Sequence, residues 1–402
     1  MINKAYKVRL YPNKGQEVLI NKTFGCVRLV WNTLLAKNNE GFAEHGSDWK
    51  MEYNTTEIKK GFDFMSEVSA GALQQKGRDF KESFNQWFRS VSGKRKGKRL
   101  GRPSFKKKGS KDSYKLPNQK FQILQEDRSI RLEKIGRVKC KYSSHIPDDS
   151  KLVSVTISKT NRGHYFASII VEQEVPALPS TGKKIGLDIG IKDLMTLSNG
   201  TIIKNPCFLR ENQSKIKKIQ KHLSRKTKGS ARYNKCKVEL ARKHAKVSSQ
   251  REWYLHNITK ALVKDYDFIS TETLSSEGMT GQIANVNRAL YDTSIYELTR
   301  QLEYKANWYG KTFNKVDKWF PSSQRCSVCG KQNKKIKNLA IRKWQCSCGV
   351  SHQRDHNAAI NILKQGFEDI SGESLDYKRG DFIDTFNYVK EIDDFIETLT
   401  FK

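Results

Sequence analysis

Four of the eight cysteines crowd into positions 326–348, and no other feature of the 402-residue chain so narrows what its stretch can become. Cys326-Ser327-Val328-Cys329-Gly330 puts two thiols on a sharp turn, with Gly where the backbone must reverse. After sixteen intervening residues, Cys346-Ser347-Cys348-Gly349 supplies a second pair. Four thiolates suit a closed, structural, tetrahedral Zn²⁺ site. Two disulfides are disfavoured in a reducing cytosol, and a redox Cys-x-x-Cys would not need the second pair. His352 stands near enough to substitute for a ligand but is expected outside the set. Cys26, Cys140, Cys207 and Cys236 are scattered and read as ordinary thiols.

The chain carries 75 Lys+Arg against 42 Asp+Glu, a formal charge of +33. Soluble domains usually hold far less, so a polyanion is the natural partner, and nucleic acid fits through phosphate neutralisation. An anionic membrane is the weaker fit, because no lipidation motif or cationic amphipathic anchor stands out. No run of about 18 apolar residues exists to span a bilayer. The N-terminus lacks the apolar core of a secretory signal, so a cytoplasmic protein is expected, nucleoid-associated when bound. The charge is uneven: residues 367–402 hold ten acids against four bases, a net of −6. This acidic C-terminal tail is expected to be a separate, flexible element.

Along the chain, Tyr6, Val8 and Leu10 alternate with Lys7 and Arg9 as a strand closed by Pro12. Asn13 then caps a helix, with Gln16 as its capping-box partner. Leu19, Ile20, Phe24, Val27, Val30, Trp31 and Leu34 recur at helical spacing. A second amphipathic helix runs from about 69 to 88, with Leu73, Phe80, Phe84, Trp87 and Phe88 on its core face. The stretch 93–109 is too rich in Gly and Lys for a regular element and reads as a mobile, phosphate-tracking loop. Short strands return between 121 and 174, and with the first strand they suit a small β-barrel interrupted by helices. After a break at 177–182 come three short strands, a long basic helical stretch (212–264) broken at 228–230, and alternating helix and strand. That order suits an α/β domain of the RNase H type.

Three carboxylates stand out in this second half. Asp188 lies inside the apolar run Ile185-Gly186-Leu187-Asp188-Ile189-Gly190, where an unpaired acid is costly and a metal or partner is expected opposite. The flanking glycines let another backbone or a ligand approach closely. Glu272 ends a second apolar strand, and Asp355 opens the last helix, where Asp is also a good N-cap. Alone, Glu272 reads as a strand-end surface residue and Asp355 as a cap. Together the three occupy positions that converge in an RNase H type sheet. Three convergent carboxylates can hold two Mg²⁺ or Mn²⁺ ions about 3.5–4 Å apart for in-line phosphodiester hydrolysis.

Several stretches match a known family. They are Lys4-Ala5-Tyr6-Lys7-Val8-Arg9-Leu10-Tyr11-Pro12, Gly101-Arg102-Pro103-Ser104-Phe105-Lys106-Lys107-Lys108, Gly186-Leu187-Asp188-Ile189-Gly190-Ile191-Lys192-Asp193, Arg300-Gln301-Leu302-Glu303-Tyr304-Lys305-Ala306, Pro321-Ser322-Ser323-Gln324-Arg325-Cys326 and Arg354-Asp355-His356-Asn357-Ala358-Ala359-Ile360-Asn361. Over roughly residues 4–365 the sequence resembles the TnpB (OrfB) proteins of insertion sequences, compact relatives of type V CRISPR effectors. The resemblance implies an α+β multidomain protein: an N-terminal wedge-like β-barrel with an inserted helical recognition lobe, then a RuvC-like RNase H type α/β nuclease domain with an inserted zinc knuckle. The ranges expected are 1–12 and 115–178 for the barrel, and 13–114 for the recognition insertion with its basic loop 93–108. Residues 183–320 and 350–366 are expected to form the nuclease domain, 321–349 the knuckle and 367–402 the tail.

By family position, Asp188, Glu272 and Asp355 look like a nuclease triad, and Cys326, Cys329, Cys346 and Cys348 like the ligands of a structural Zn²⁺. The implied activity is Mg²⁺- or Mn²⁺-dependent, RNA-guided cleavage of double-stranded DNA, with a guide RNA from the transposon end and a short transposon-adjacent motif. The chain departs from the family at Gln353, where many relatives have Asp, at His356, and in its Cys-x-Cys second pair. A monomer is favoured.

Gln74 and Gln75 are candidates for reading the adjacent motif, since a Gln amide pairs bidentately with adenine. Tyr53 could pack on a base or sugar. Lys76, Arg95, Arg99, Arg102, Lys106, Lys107 and Lys108, with the basic residues of 212–251, are expected on phosphates. Two rival readings are a nucleic-acid-binding regulator or transposase accessory protein without cleavage, and a strand-joining transposase that needs no guide.

Overall fold

The computed structural model describes residues 1–95, 97–109, 112–274, 294–338 and 340–375. Most of the acidic tail, from 376 onward, lies outside the described residues, as do Lys96 in the basic loop and residues 275–293. The chain divides into two compact units at Glu174/Val175.

In the first unit, β1 (Ile2–Tyr11) buries Tyr6, Val8 and Leu10 and exposes the residues between them. Asn13 closes the capping box with Gln16 in both directions, at 2.9 and 3.1 Å. It starts α1 (Lys14–His45), whose apolar stripe is buried from Ile20 to Leu35. After α2 (Thr56–Lys60), Ser69 caps α3 (Ala70–Val91). Leu73, Phe80 and Phe84 of α3 are buried as expected, but Phe88 is 43% exposed. It sits on a rim of rings with Phe42, Phe84 and Trp87 rather than in the core.

The remaining strands are β2 (Ser113–Pro117), β3 (Phe121–Leu124), β4 (Ser129–Leu132), β5 (Gly136–Lys141), β6 (Lys151–Lys159) and β7 (Tyr165–Gln173). With β1 they form one antiparallel sheet in the order β2-β6-β7-β1-β5-β4-β3. The two edge strands, β2 and β3, are joined by a three-residue 3₁₀ turn, Asn118–Lys120. A flat seven-stranded sheet would hold its edges roughly 29 Å apart. Four Cα steps reach at most about 14 Å. The sheet must therefore curl until its edges approach, and its inner face packs with α1 and α3 into one core.

The second unit is built on a five-stranded sheet in the order β10-β9-β8-β11-β12. Its strands are β8 (Lys184–Ile189), β9 (Asp193–Leu197), β10 (Ile202–Lys204), β11 (Phe268–Glu272) and β12 (Thr312–Val316). β8, β9 and β10 form an antiparallel meander, while β11 pairs parallel with both β8 and β12. Between them run α4 (Phe208–Ser224) and α5 (Ala231–Asp265), then α6 (Ile295–Trp308). Lys311 is buried at the base of β12, where its ammonium pairs with Asp267 and donates to the carbonyl of Pro179 at 2.7 Å.

The last helix, α7 (Arg354–Ser371), lies on the sheet, and two glycines set how closely. A Cβ on Gly186 of β8 would collide with the carbonyl of Ala359 and with Leu363. One on Gly366 of α7 would run into Ser270 of β11. α7 extends past the expected boundary at 366 because Phe367 still has a partner: its ring meets Phe268 at 5.7 Å, and Lys184 lies over it. A small hairpin, β13 (Lys343–Gln345) with β14 (Ser351–Gln353), precedes α7. No helix among the described residues is long and apolar enough to cross a membrane.

Candidate functional site

The parallel register brings the first two acids together. Thr271 is the partner of Leu187, so Glu272 and Asp188 are the next pair along, on the same face. Gly186 and Asp188, two residues apart, also share a face, and that face carries α7. Ala359 lies over Gly186, so the turn before it, which holds Asp355, comes over Asp188.

The carboxyl groups of Asp188 and Glu272 lie close enough to perturb each other's titration. Burial pushes Asp188 well above the usual carboxylate range, with Glu272 and then Asp355 adding like-charge repulsion. Burial likewise raises Glu272, and the Arg354 guanidinium offsets part of the effect on both. Two carboxyl groups placed this close together, both largely shielded from water, are a donor set that fits a hard divalent cation.

Asp355 is not the helix cap. Gln353 is: its side-chain carbonyl accepts from the backbone N–H of His356 at 2.6 Å. His356 in turn meets the Ser198 carbonyl through Nε2 at 2.9 Å. Gln353 and His356 thus fix the start of α7. The freed carboxylate of Asp355 instead meets Arg342, whose Nη1 lies 3.2 and 3.1 Å from its two oxygens. Arg342 is held there by its carbonyl, which accepts from the backbone N–H of Arg354 at 2.8 Å. Among the described residues, only the cysteine cluster brings three or more ligand groups within mutual metal-binding distance, so the three acids share a field without closing on one point. Sequence reasoning missed Arg342 and the field of Arg354. Only the position of Arg354 beside Asp355 could have signalled the latter.

The ligand sulfurs of Cys326, Cys329, Cys346 and Cys348 all lie within 4.8 Å of one another. Cys326 and Cys348 are 3.8 Å apart, and Cys329 and Cys346 3.5 Å. Zn–S bonds of 2.3 Å at tetrahedral angles require about 3.8 Å, so the four could bind zinc. Both knuckles turn on a glycine with positive φ: Gly330 (+75°) and Gly349 (+88°) donate to the carbonyls of Cys326 and Cys346 at 2.9 Å. The short Cys-x-Cys spacing therefore does not keep the sulfurs apart. His352 Nε2 sits 3.1 Å from Cys326 Sγ, with its ring against Trp344.

The expected nucleic-acid contacts divide. Gly77 leaves room for the Tyr53 carbonyl, which sets Tyr53 against α3, where Lys81 lies 4.3 Å over its ring. Gln74 is exposed beside it. Gln75 donates to Asp79, and Lys76 is buried in an ion pair with the same carboxylate. Arg95, Arg99, Lys107 and Lys108 are at least partly open to solvent. Part of the expected mobile loop is docked. Arg102 donates to Asn39 and lies over Phe42 and Trp87. The Trp31 indole donates to the Ser104 carbonyl, and the Lys106 ammonium sits 3.6 Å over the Trp31 ring. Burial lowers the Lys106 pKa to about 8. Aromatic faces on α1 and α3 hold these cations by cation–π attraction, which the Gly/Lys composition did not reveal.

Comparison with known proteins places these features among relatives. Residues 168–282 match the OrfB family described as "Probable transposase", and residues 296–362 the "Cas12f1-like, TNB domain". Residues 1–47 match the OrfB "Helix-turn-helix domain", although the structure there is a strand and one long helix. The chain is 34% identical to a "Putative RNA-guided DNA endonuclease" of Streptomyces pristinaespiralis over 376 residues, 91% of this chain and 90% of that one. It is 32% identical to "Putative RNA-guided DNA endonuclease InsQ" of Escherichia coli K12, covering 90% and 92%. Among solved structures, the fold is similar to that in "Cryo-EM structure of the Cas12f1-sgRNA-target DNA complex" (TM-score 0.53, 13% identity, covering 90% of this chain and 98% of that one).

Proposed function

This chain belongs to the TnpB (OrfB) family, and from that premise we propose that it is a transposon-encoded, RNA-guided DNA endonuclease with Asp188, Glu272 and Asp355 at its cutting site. The observation that carries the site assignment is the pair of closely placed acids at adjacent register on neighbouring parallel strands, with the first turn of α7 over them. Asp188, Glu272 and Asp355 would hold Mg²⁺ or Mn²⁺, which in such sites supplies an activated water and charge stabilisation for the leaving 3′ oxygen. Gln353 and His356 keep the Asp355 turn in place, and Arg342 sets the direction of its carboxylate. The five-stranded sheet with α7 is on this reading a RuvC-like nuclease domain, and the cysteine cluster a structural zinc knuckle.

Base pairing with the guide supplies sequence recognition, while the basic surface holds phosphates. Tyr53, packed against α3, and Gln74 on α3 are the proposed readers of the transposon-adjacent motif. The test is to express the protein with its flanking DNA, sequence the RNA that purifies with it, and assay cleavage of matching duplexes. Asp188→Ala, Glu272→Ala and Asp355→Ala are each expected to abolish cleavage while the RNA still co-purifies. Absence of RNA, or full cleavage by Asp188→Ala, sinks the proposal.

A further inference from the structure

Trp319 has nothing to gain from its position in folding. It is 79% exposed, although indole carries one of the largest apolar surfaces of any side chain. A loose loop would explain this, but the loop is not loose. The Trp319 N–H donates to Asp317 Oδ1 at 2.8 Å, and the Phe320 N–H to the Asp317 carbonyl at 3.1 Å. Just beyond, the Ser322 and Arg325 carbonyls accept from the buried amide of Asn361 at 2.7 and 2.6 Å, and Arg325 also accepts from Asn357 at 2.8 Å. The indole is thus presented to solvent on a turn stapled to α7.

Its place in the sheet matters equally. Val316, three residues earlier, ends β12 as the register partner of Glu272. Trp319 follows the carboxyl ends of the parallel strands, the end of an α/β sheet where ligands bind. Three Cα steps and one strand spacing put its Cα within roughly 15 Å of that of Glu272. Among the described residues the ring's one contact of its kind is Lys318, whose ammonium lies 4.6 Å from the centroid.

We propose that Trp319 is a stacking platform for an unpaired base of the DNA strand being cut, with Lys318 neutralising a neighbouring phosphate. Every base has a π-face, so such a platform grips a strand without reading its sequence, as cleavage directed by a guide requires. The proposal rests on the nuclease reading, and the test separates the two.

The full chain with its co-purified RNA, carrying Asp188→Ala to prevent cutting, is titrated with a short single-stranded oligodeoxynucleotide containing 2-aminopurine. A second probe is abasic at that position, and a third is the ribonucleotide equivalent. Stacking on Trp319 quenches the probe. Trp319→Ala is expected to remove the quenching and weaken binding about tenfold, while Trp319→Phe retains most of both. The abasic probe is expected to bind both proteins equally. Unchanged quenching and affinity in Trp319→Ala overturn the proposal, as does a loss confined to the ribonucleotide probe. Unaltered melting of Trp319→Ala excludes misfolding as the cause. Failure of the Asp188-intact protein to cleave would count against the nuclease reading alone, because the binding measurement does not depend on it.

Discussion

Gly186→Ala adds one methyl group at the point where α7 presses on β8. Its Cβ would lie 2.7 Å from the Cβ and backbone N of Leu363, and closer still to the Ala359 carbonyl. Comfortable separations are about 3.5–4.0 Å, so the helix must retreat by about 1 Å. None of the three atoms is the far end of a flexible side chain, so the strain cannot be relieved by a rotamer change. Overpacking of this kind costs about 1–3 kcal/mol. For a unit of this size that lowers the melting transition by about 2–4 °C per kcal/mol. The displacement is transmitted to Asp355, one turn earlier on the helix, and a 1 Å misplacement at a reacting centre costs about 100-fold in rate. Calorimetry and a cleavage time course on the guide-loaded protein measure both effects. Gly25→Ala is the control: it sits in the interior of α1 with nothing within 4 Å of the added Cβ, and should stabilise by about 0.5–1 kcal/mol. If Gly186→Ala melts within about 1 °C of the parent and cuts at the same rate, α7 is not clamped on β8 and the placement of Asp355 loses its basis.

Cys348→Ser, or treatment with a strong chelator, is expected to release one zinc per chain and expose the knuckle to protease between 326 and 350, read by metal analysis and limited digestion. Lys305 is buried, donates to the His256 carbonyl and Thr259 Oγ1 at 2.8 and 2.7 Å, and has its pKa pushed down to about 7 by burial and the nearby Lys260. An unfolded lysine keeps its proton to about 10.4, so stability should rise with pH between about 7 and 10. Lys305→Met should flatten that rise in denaturant melts taken across the window. Burial tends to raise Asp267, but hydrogen bonds from Lys311, Ser180, Gly182 and Thr181 outweigh it and hold the carboxyl well below its usual range. Its stabilising contribution is therefore full at neutral pH and lost only as pH falls through the depressed value. Asp267→Asn, which removes the charge facing Lys311 while Pro179 still accepts from it, should cost about 1–3 kcal/mol at pH 7 by chemical denaturation.

The features legible in the sequence were those whose partners lie a few positions away. Asn13 and Gln16 announce their capping box at a spacing of three, and the alternation of Tyr6, Val8 and Leu10 announces a half-buried strand. The cysteine knuckles announce themselves because each turn brings its own two thiols together. Where the reading missed, the deciding contact was distant. Phe88 has the spacing of a core residue, yet the packing of Phe42 and Trp87 leaves it on the rim. Lys106 gave no sign in the sequence that its ammonium would lie over the indole of Trp31 on another element. The contact that orients Asp355 was equally distant: Gln353 takes the cap, and Arg342, thirteen positions earlier, receives the carboxylate.

Residue chemistry and local periodicity thus pointed to a polyanion partner for a strongly basic chain, to a cluster of four cysteines, and to one acid inside an apolar run, one at a strand end and one opening a helix. That Glu272 stands beside Asp188, that α7 lies close enough to carry Asp355 over them, and that the first sheet curls until its edges approach were decided in three dimensions. The reason is physical. Short-range hydrogen bonds and periodicity act through a few residues of chain, whereas strand register and helix-on-sheet distance are settled only when surfaces far apart in sequence are pressed together and a single absent Cβ determines how closely they fit.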